Sequence, residues 1–265
     1  MTRIIVITSG KGGVGKTTTT SNLGAAIAKQ NKTVALIDAD FGLRNLDLLL
    51  GLEERVVYTA IDVLAGECRL AQALVKDKRL KGLVLLPAAQ NRNKESVQPE
   101  QMKKIATALA KGYDYIIIDS PAGIELGFRN AIAAAKEALI VTTPEIAAVR
   151  DADRVIGLLE AEGVHQISLI VNRVKPAMVE GNKMMSVEDV LELLGVPLIG
   201  VIPDDERVIV STNKGEPLVL GEGDSLPAIA FANIARRLEG EKVPFLDLMA
   251  NNSNLLSRLR RMFGG

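Results

Sequence analysis

Short apolar runs alternate with longer amphipathic stretches along the chain of 265 residues. Most of the short runs are apolar on both faces, which is typical of strands covered by helices on either side. The longer stretches carry apolar residues at helical spacing. The pattern predicts strands at 3–8, 33–38, 83–86, 113–119, 138–142, 167–171 and 198–202, and helices at 17–29, 101–111, 126–135, 147–162, 186–194 and 227–238. This alternation predicts an α/β fold with a doubly wound, mainly parallel sheet and helices on both of its faces.

The alternating pattern ends near Gly240. Up to residue 243 there is no internal repeat and no long linker rich in Pro, Gly or Ser, so we predict one compact domain over 1–243. Pro244 follows, and then the polar run Asn-Asn-Ser-Asn at 251–254, which has high turn propensity and poor helix propensity. We therefore predict a flexible tether over 244–252 and a separate short helix over 253–265.

The loop after the first predicted strand carries a phosphate-binding motif. Residues 10–17 read Gly-Lys-Gly-Gly-Val-Gly-Lys-Thr and fit the pattern G-x-x-x-x-G-K-[ST]. Its glycines let successive backbone N–H groups point into one concavity at the positive end of the following helix. We predict that Lys16 neutralises the β- and γ-phosphates of a nucleotide and that the Thr17 hydroxyl binds Mg²⁺. The residues predicted to contact the nucleotide in this region are Gly10, Lys11, Gly12, Gly13, Val14, Gly15, Lys16, Thr17 and Thr18.

Two further predicted strands end in carboxylates, at the sheet edge where parallel α/β folds bind ligands. The fourth strand ends in Asp119, which we predict to hold Mg²⁺ directly or through water, and the Gly123 N–H follows as a sensor of the γ-phosphate. The second strand leads into Asp38 and Asp40, which are costly to bury without a metal, a water or a partner. We predict that Asp40 orients or deprotonates the attacking water and that Asp38 supports the Mg²⁺ shell, with a helix or turn cap as the alternative for Asp38. Residues 41–47 are predicted to form a switch that responds to the γ-phosphate.

Lys11 is a second lysine inside the phosphate loop, which is unusual for a loop of this class. With it, residues 11–18 read Lys-Gly-Gly-Val-Gly-Lys-Thr-Thr, and the sequence resembles the MinD/ParA group of P-loop ATPases. The resemblance implies ATP and Mg²⁺ as cofactors and an ATP-dependent homodimer in which Lys11 reaches the phosphates of the partner. A solvated loop lysine is the alternative. The resemblance also implies that Asn172 and Pro203, which follow the last two predicted strands, flank the adenine.

The resemblance extends over essentially the whole chain and is closest to the MinD branch of septum site-determining ATPases. It is carried by FGLRNLDL at 41–48, RVVY at 55–58, DSPAGIE at 119–125, VRDADR at 149–154 and GVIP at 200–203. It implies an ATPase that binds membrane as an ATP dimer, recruits the division inhibitor MinC, and is released when MinE stimulates hydrolysis. It further implies that the helix bearing Arg150, Asp151 and Asp153 contributes to partner docking, where the residues alone indicate only a solvated helix face.

The predicted helix at 253–265 has an apolar side and a basic remainder. Its apolar residues fall at i, i+1, i+4, i+7 and i+8, its arginines lie elsewhere, and it carries no acidic residue. Such a helix suits an anionic membrane surface, where each basic residue contributes about 1 kcal/mol. Its eleven residues 253–263 span roughly 17 Å, which is too short to cross. A helix docked on the body by the same leucines is the alternative. The residues predicted to contact lipid are Leu255, Leu256, Arg258, Leu259, Arg260, Arg261, Met262 and Phe263.

The charge balance narrows the functional classes. The chain has 32 Lys+Arg and 32 Asp+Glu; setting aside the three arginines of 253–265 leaves 29 basic against 32 acidic residues. This body is not suited to strong DNA binding, which a ParA-like partition ATPase would need, whereas a flagellar-number regulator of the FlhG/FleN type stays the nearest alternative. The lone Cys68 indicates a reducing compartment. Together with the membrane cycle that the resemblance implies, this predicts a cytoplasmic protein that cycles to the inner face of the cell membrane as a peripheral protein.

Overall fold

The computed structural model describes residues 2–41, 43–89, 97–221 and 225–248, and within them eight strands form one sheet. The strands are β1 Arg3–Thr8, β2 Val34–Asp38, β3 Val75–Lys76, β4 Leu83–Leu86, β5 Tyr115–Asp119, β6 Glu137–Thr142, β7 Gln166–Val174 and β8 Leu198–Pro203. Their order across the sheet is β3-β4-β2-β5-β1-β6-β7-β8. The short strand β3 runs antiparallel to β4, and the other neighbouring pairs are parallel.

Helices lie in the crossover connections between parallel strands, and the last two helices follow the last strand. They are α1 Lys16–Ala28, α2 Leu46–Leu49, α3 Ala60–Leu64, α4 Leu70–Ala73, α5 Pro99–Leu109, α6 Leu126–Ile132, α7 Ile146–Ala161, α8 Pro176–Glu180, α9 Val187–Leu194, α10 Glu206–Asn213 and α11 Leu226–Leu238. Within the part of the chain that the structure describes, short 3₁₀ turns lie at Glu53–Arg55 and Leu218–Leu220.

The sheet is covered on both faces because successive strand side chains point to opposite sides. In β1, Val6 belongs to an apolar cluster with residues of α5, α6, α7 and α9, whereas Ile5 and Ile7 belong to a second cluster with residues of α1 and α11. Phe128 anchors the first cluster and Phe231 the second, and both are fully buried. Truncating such a side chain to Ala costs about 3–5 kcal/mol. The doubly wound α/β fold predicted from the sequence is confirmed.

The register of the central strands brings three strand ends together. Asp119 of β5 lies opposite Ile7 of β1 and opposite Asp38 of β2. The carboxyl ends of these parallel strands therefore form one edge, at the point where β1 separates the two halves of the sheet. Ligands of doubly wound folds bind at this kind of edge.

The seven predicted strands are all present, with ends that differ by up to three residues. The strand β3 and the short helices α2, α3, α4, α8 and α10 were not predicted, because elements of two to eight residues show little periodicity and owe their stability to tertiary packing. The predicted helix at 253–265, its lipid-contacting residues and the last part of the tether lie outside the described residues. Among the helices that the structure describes, none is long and apolar enough to cross a membrane.

Candidate nucleotide-binding site

The glycine-rich loop leads from the end of β1 directly into α1. Gly13 and Gly15 have φ angles of 78° and 100°, a region of backbone conformation that favours glycine. Gly15 is the N-cap of α1 and provides no side-chain cap, so the first N–H groups of the helix face the concavity of the loop. This combination of curled backbone and helix N-terminus is suited to binding phosphate.

Two neighbouring elements, α7 and β7, pack closely against this loop and hold it in position. A Cβ at Gly10 would overlap the backbone carbonyl of Asp151 on α7, and a Cβ at Gly15 would overlap the side-chain amide of Asn172 at the end of β7. Asn172 Nδ2 also donates to the Val14 carbonyl oxygen at 2.8 Å. The loop is therefore held by contacts that need glycine at two of its positions.

Lys16 places a buried ammonium group beside the loop. Its Nζ donates to Ser9 Oγ at 3.0 Å, and Ser9 Oγ donates to the Lys11 carbonyl oxygen at 2.7 Å. Burial lowers the pKa of Lys16, while the nearby carboxylates of Asp119 and Asp40 raise it in part. A cation held in such surroundings is suited to pairing with an anion that enters the site.

Asp119 is fully buried and is held by hydroxyl groups of α1. Thr20 Oγ1 donates to Asp119 Oδ1 at 2.9 Å, and the Thr17 side chain also hydrogen-bonds to this carboxylate. Burial raises the pKa of Asp119 to about 6, although the two threonines and Lys16 oppose the shift. Sequence reasoning missed Thr20, although its position three residues after Thr17 places both hydroxyls on one helix face.

Asp38 joins the segment after β2 to the start of α2. Its Oδ1 accepts the N–H of Asp40 at 2.9 Å, and its Oδ2 accepts the N–H of Leu46 at 3.3 Å. Burial first, and then the neighbouring Asp119, raise the pKa of Asp38 to about 8. Asp38 therefore makes the contacts of a helix or turn cap, which was the alternative role considered for it from the sequence. Its role in an Mg²⁺ shell stays a prediction. Asp40 is half-buried next to Lys16, and its role toward water also stays a prediction.

A cavity of about 290 Å³ adjoins the phosphate loop on the side of β7 and β8. It is lined by Gly15, Thr18, Asn172, Arg173, Ile202, Pro203, Asp204, Asp205, Glu206, Val208, Ile209 and Phe231. Both residues predicted to flank adenine lie in its wall. The Asn172 amide is engaged there, because it donates to Val14 and its oxygen accepts the N–H of Arg173 at 2.9 Å. The cavity has the position of a nucleoside site, and the contacts with the base stay a prediction.

The remaining predicted residues lie on the surface around this edge. Lys11 Nζ pairs with Glu145 Oε2 at 3.2 Å, and the two side chains are 42% and 58% exposed. Arg150 and Asp153 are exposed on α7, whereas Asp151 is half-buried against the phosphate loop. The loop after β5 contains Gly123 with a φ angle of 91°. The structure thus brings the predicted phosphate, metal and water residues together. Of the predicted partner residues, it leaves Arg150 and Asp153 on the exposed side of α7, whereas Asp151 packs against the phosphate loop.

The donor groups fit a nucleotide with Mg²⁺. The loop N–H groups and Lys16 suit a polyphosphate, and the oxygens of Thr17 and Asp119 are the hard ligands that Mg²⁺ prefers. A phosphate loop between a central parallel strand and a helix, with a strand-end carboxylate beside it, defines the protein as a P-loop nucleotide-binding protein. A family model described as the CobQ/CobB/MinD/ParA nucleotide binding domain matches residues 5–218. The chain belongs to this family.

Known proteins resemble the chain over 91–100% of its length. A septum site-determining protein MinD from Synechocystis sp. is 69% identical over 266 residues, which cover 100% of both chains. A MinC:MinD cell division protein complex from Aquifex aeolicus contains a chain that is 50% identical, with a TM-score of 0.85 and coverage of 91% of this chain and 97% of that one. A Pyrococcus horikoshii MinD complexed with Mg-ADP is 34% identical, with a TM-score of 0.83 and coverage of 92% and 100%. The predicted membership in the MinD/ParA group is confirmed, and the likeness supports a role in placing the division site.

Proposed function

We propose that this protein is a Mg²⁺-dependent ATPase that positions the cell-division septum by cycling between the cytoplasm and the membrane. One observation carries the proposal: a buried lysine and two buried strand-end carboxylates meet beneath a glycine phosphate loop, in a chain 69% identical to a septum site-determining protein. The chain would bind membrane as an ATP dimer, recruit MinC, and be released when MinE stimulates hydrolysis.

Each residue of the site has a defined task in this proposal. The loop N–H groups and Lys16 bind the terminal phosphates, and Thr17 with Asp119 would hold Mg²⁺. When bound, Mg²⁺ would neutralise charge that develops on the phosphate oxygens. Asp40, beside Lys16 at the mouth of the site, orients the attacking water. Asp38 supports this arrangement, because its carboxylate holds the Asp40 N–H.

Exposed apolar side chains around the site support dimerisation through this edge. Leu43, Ile124 and Ile146 are 62%, 40% and 68% exposed, and they lie on the segments that follow β2, β5 and β6. Apolar groups that surround a site on three separate segments are suited to a protein partner. Lys11 lies at the same edge, and its exposed pair with Glu145 contributes little stability, so it can open. We propose that Lys11 then contacts the phosphates of the second protomer.

The partner proposal rests on α7 and on the relatives. Arg150 and Asp153 are exposed on α7, whose backbone packs on the phosphate loop at Gly10. A partner that binds this helix would lie next to the nucleotide. The Aquifex aeolicus relative is found in a complex with MinC. We propose that MinC, and MinE during release, bind this protein through α7.

Membrane binding would require the segment 253–265. A single short amphipathic helix binds weakly, whereas two helices held in one dimer gain avidity of about 10²- to 10⁴-fold. The proposed dimerisation with ATP would therefore also control membrane binding, and hydrolysis would reverse both.

Liposome sedimentation tests the proposal directly. The full chain is mixed with anionic vesicles and ATP, a non-hydrolysable analogue or ADP, and the pelleted fraction and released phosphate are measured. We expect pelleting with ATP and with the analogue, little with ADP, and MinC in the pellet only when this protein is there. A chain lacking 253–265 should bind ATP and stay in the supernatant, and vesicles of neutral lipid serve as the control. Equal pelleting of the shortened chain, or no phosphate release with vesicles and MinE, would contradict the proposal.

A further inference from the structure

Arg79 connects two loops that are distant from it in sequence. It lies between β3 and β4, and its guanidinium donates to the Leu50 carbonyl oxygen at 2.7 Å and to the Gly215 carbonyl oxygen at 3.3 Å. It also pairs with the buried carboxylate of Asp77 at 2.8 Å. Burial raises the pKa of Asp77, but hydrogen bonds from the Arg79 side chain and from backbone N–H groups outweigh it and lower the pKa. The guanidinium therefore has a fixed, charged partner and a fixed direction.

The two loops that Arg79 holds also touch each other through a pair of glycines. Gly51 and Gly215 have φ angles of 60° and 62°. A Cβ at Gly215 would lie 2.8 Å from Gly51 Cα and 3.0 Å from the Leu48 carbonyl oxygen, and a Cβ at Gly51 would lie 2.7 Å from the Gly215 carbonyl oxygen. We call Arg79, Gly51 and Gly215 the clasp. Its two backbones approach closely only because neither glycine has a side chain.

The clasp joins the two sides of the nucleotide site. Gly51 directly follows α2 and Leu50, and the first N–H of α2, that of Leu46, donates to Asp38. Gly215 follows α10, whose first turn lines the nucleoside cavity together with Pro203. The eight residues of α10 span about 12 Å. A short continuous path therefore runs from the nucleoside cavity through α10, the clasp and α2 to Asp38 and to the Asp40 N–H that Asp38 holds.

We propose that Arg79 is a positioning residue for hydrolysis: the clasp holds α2, and through it Asp38 and Asp40, in place relative to α10 and the nucleoside cavity. This inference rests on the proposed ATPase function, because it concerns the rate of that reaction. Among the described residues, no hydrogen bond joins the clasp to the phosphate loop or to the α10 residues that line the nucleoside cavity, so we expect its loss to change nucleotide affinity little. Its loss moves the water-positioning carboxylate, and small displacements of such groups cost up to about 100-fold in rate.

Substitution of Arg79 separates positioning from binding. Arg79→Ala should lower kcat about tenfold and change the dissociation constant for ATP less than about twofold. Arg79→Lys should recover part of kcat, because an ammonium still reaches Asp77 and one carbonyl oxygen. Arg55→Ala is the matched control, since Arg55 donates to the Lys76 carbonyl oxygen and to neither loop of the clasp. A kcat unchanged in Arg79→Ala, or kcat and ATP affinity falling together, would overturn the inference.

The glycine contact gives a second test that does not depend on the arginine. Gly215→Ala forces the loops apart, whereas Gly195→Ala, at a φ angle of 64° with nothing within 4 Å, imposes the same backbone strain without the overlap. We expect the slower hydrolysis only in Gly215→Ala. The double variant with Arg79→Ala should be no slower than the slower single variant, because both changes break one clasp. Additive losses in rate would count against a shared role.

Hydrogen exchange distinguishes failure of the clasp from failure of the proposed function. In the full-length protein, Mg-ATP should slow exchange of the α2 amides, and this protection should be lost in Arg79→Ala and in Gly215→Ala but kept in Gly195→Ala. This readout does not require hydrolysis. Wild-type protein that protects α2 and releases no phosphate would refute the ATPase proposal and not the clasp, whereas equal protection of α2 in all variants would refute the clasp.

Discussion

The buried carboxylates at the ends of β2 and β5 make the stability of the nucleotide-free protein depend on pH. The pKa of Asp38 is raised to about 8 in the folded state, chiefly by burial, whereas the pKa of an Asp in the unfolded chain is about 3.9. Between these values the folded carboxyl keeps a proton that the unfolded chain has lost. The folded state then binds more protons, so the free energy of unfolding falls as pH rises through this window.

The size of the effect follows from the two pKa shifts. Across the window, Asp38 costs about 1.4 kcal/mol of stability for each pH unit. From pH 5 to pH 7 its contribution is therefore about 3 kcal/mol, and Asp119, with a pKa of about 6, adds about 1 kcal/mol. Natural domains have a total stability of about 5–15 kcal/mol, so a change of this size is readily measured.

Urea unfolding at pH 5, 6, 7 and 8, in EDTA and without nucleotide, measures this dependence. Asp38→Asn removes one titrating group, so its stability should change by only about 1 kcal/mol between pH 5 and pH 7. The slopes are compared rather than the absolute values, because an Asn side chain accepts only one of the two N–H bonds. Asp153→Asn, at an exposed carboxylate of α7, should keep the wild-type slope. An Asp38→Asn protein that loses stability as steeply as wild type would refute the reasoning.

Three further substitutions test the site. Lys16→Ala should raise the dissociation constant for ATP at least about 100-fold in a titration with labelled nucleotide, since charge-assisted hydrogen bonds contribute about 1.5–3 kcal/mol each. Asp40→Ala should bind ATP within about threefold of wild type and release phosphate at least about 100-fold more slowly; wild-type turnover would exclude the water-positioning role. Gly15→Ala should melt about 4–6 °C below Gly13→Ala, because only the Cβ at Gly15 overlaps Asn172. Equal melting temperatures would show that the contact between a Cβ at position 15 and Asn172 is relieved without loss of stability.

Local sequence signals were sufficient for the phosphate loop and for most of the sheet. The loop is contiguous, and its glycines and lysine lie between a strand and a helix, so spacing alone predicted its position. Asp119 and Asp38 were predicted because each ends an apolar strand, and parallel strands end at one edge. The cap made by Asp38 was foreseen only as an alternative, since its partner N–H at Leu46 belongs to a four-residue helix without a periodic signal.

The sequence by itself therefore determined the fold class, the phosphate loop and the set of carboxylates at the edge of the sheet. Only the tertiary structure decided which side chains bind these groups and the neighbouring loops. Thr20 donates to Asp119, Asn172 donates to the Val14 carbonyl oxygen, and Arg79 donates to carbonyl oxygens in the loops that follow α2 and α10. The reason is physical. Periodicity and motif spacing report contacts between residues a few positions apart. Asn172 and Val14 are 158 positions apart and meet only because β7 and β1, which leads into the phosphate loop, end at the same edge of one sheet.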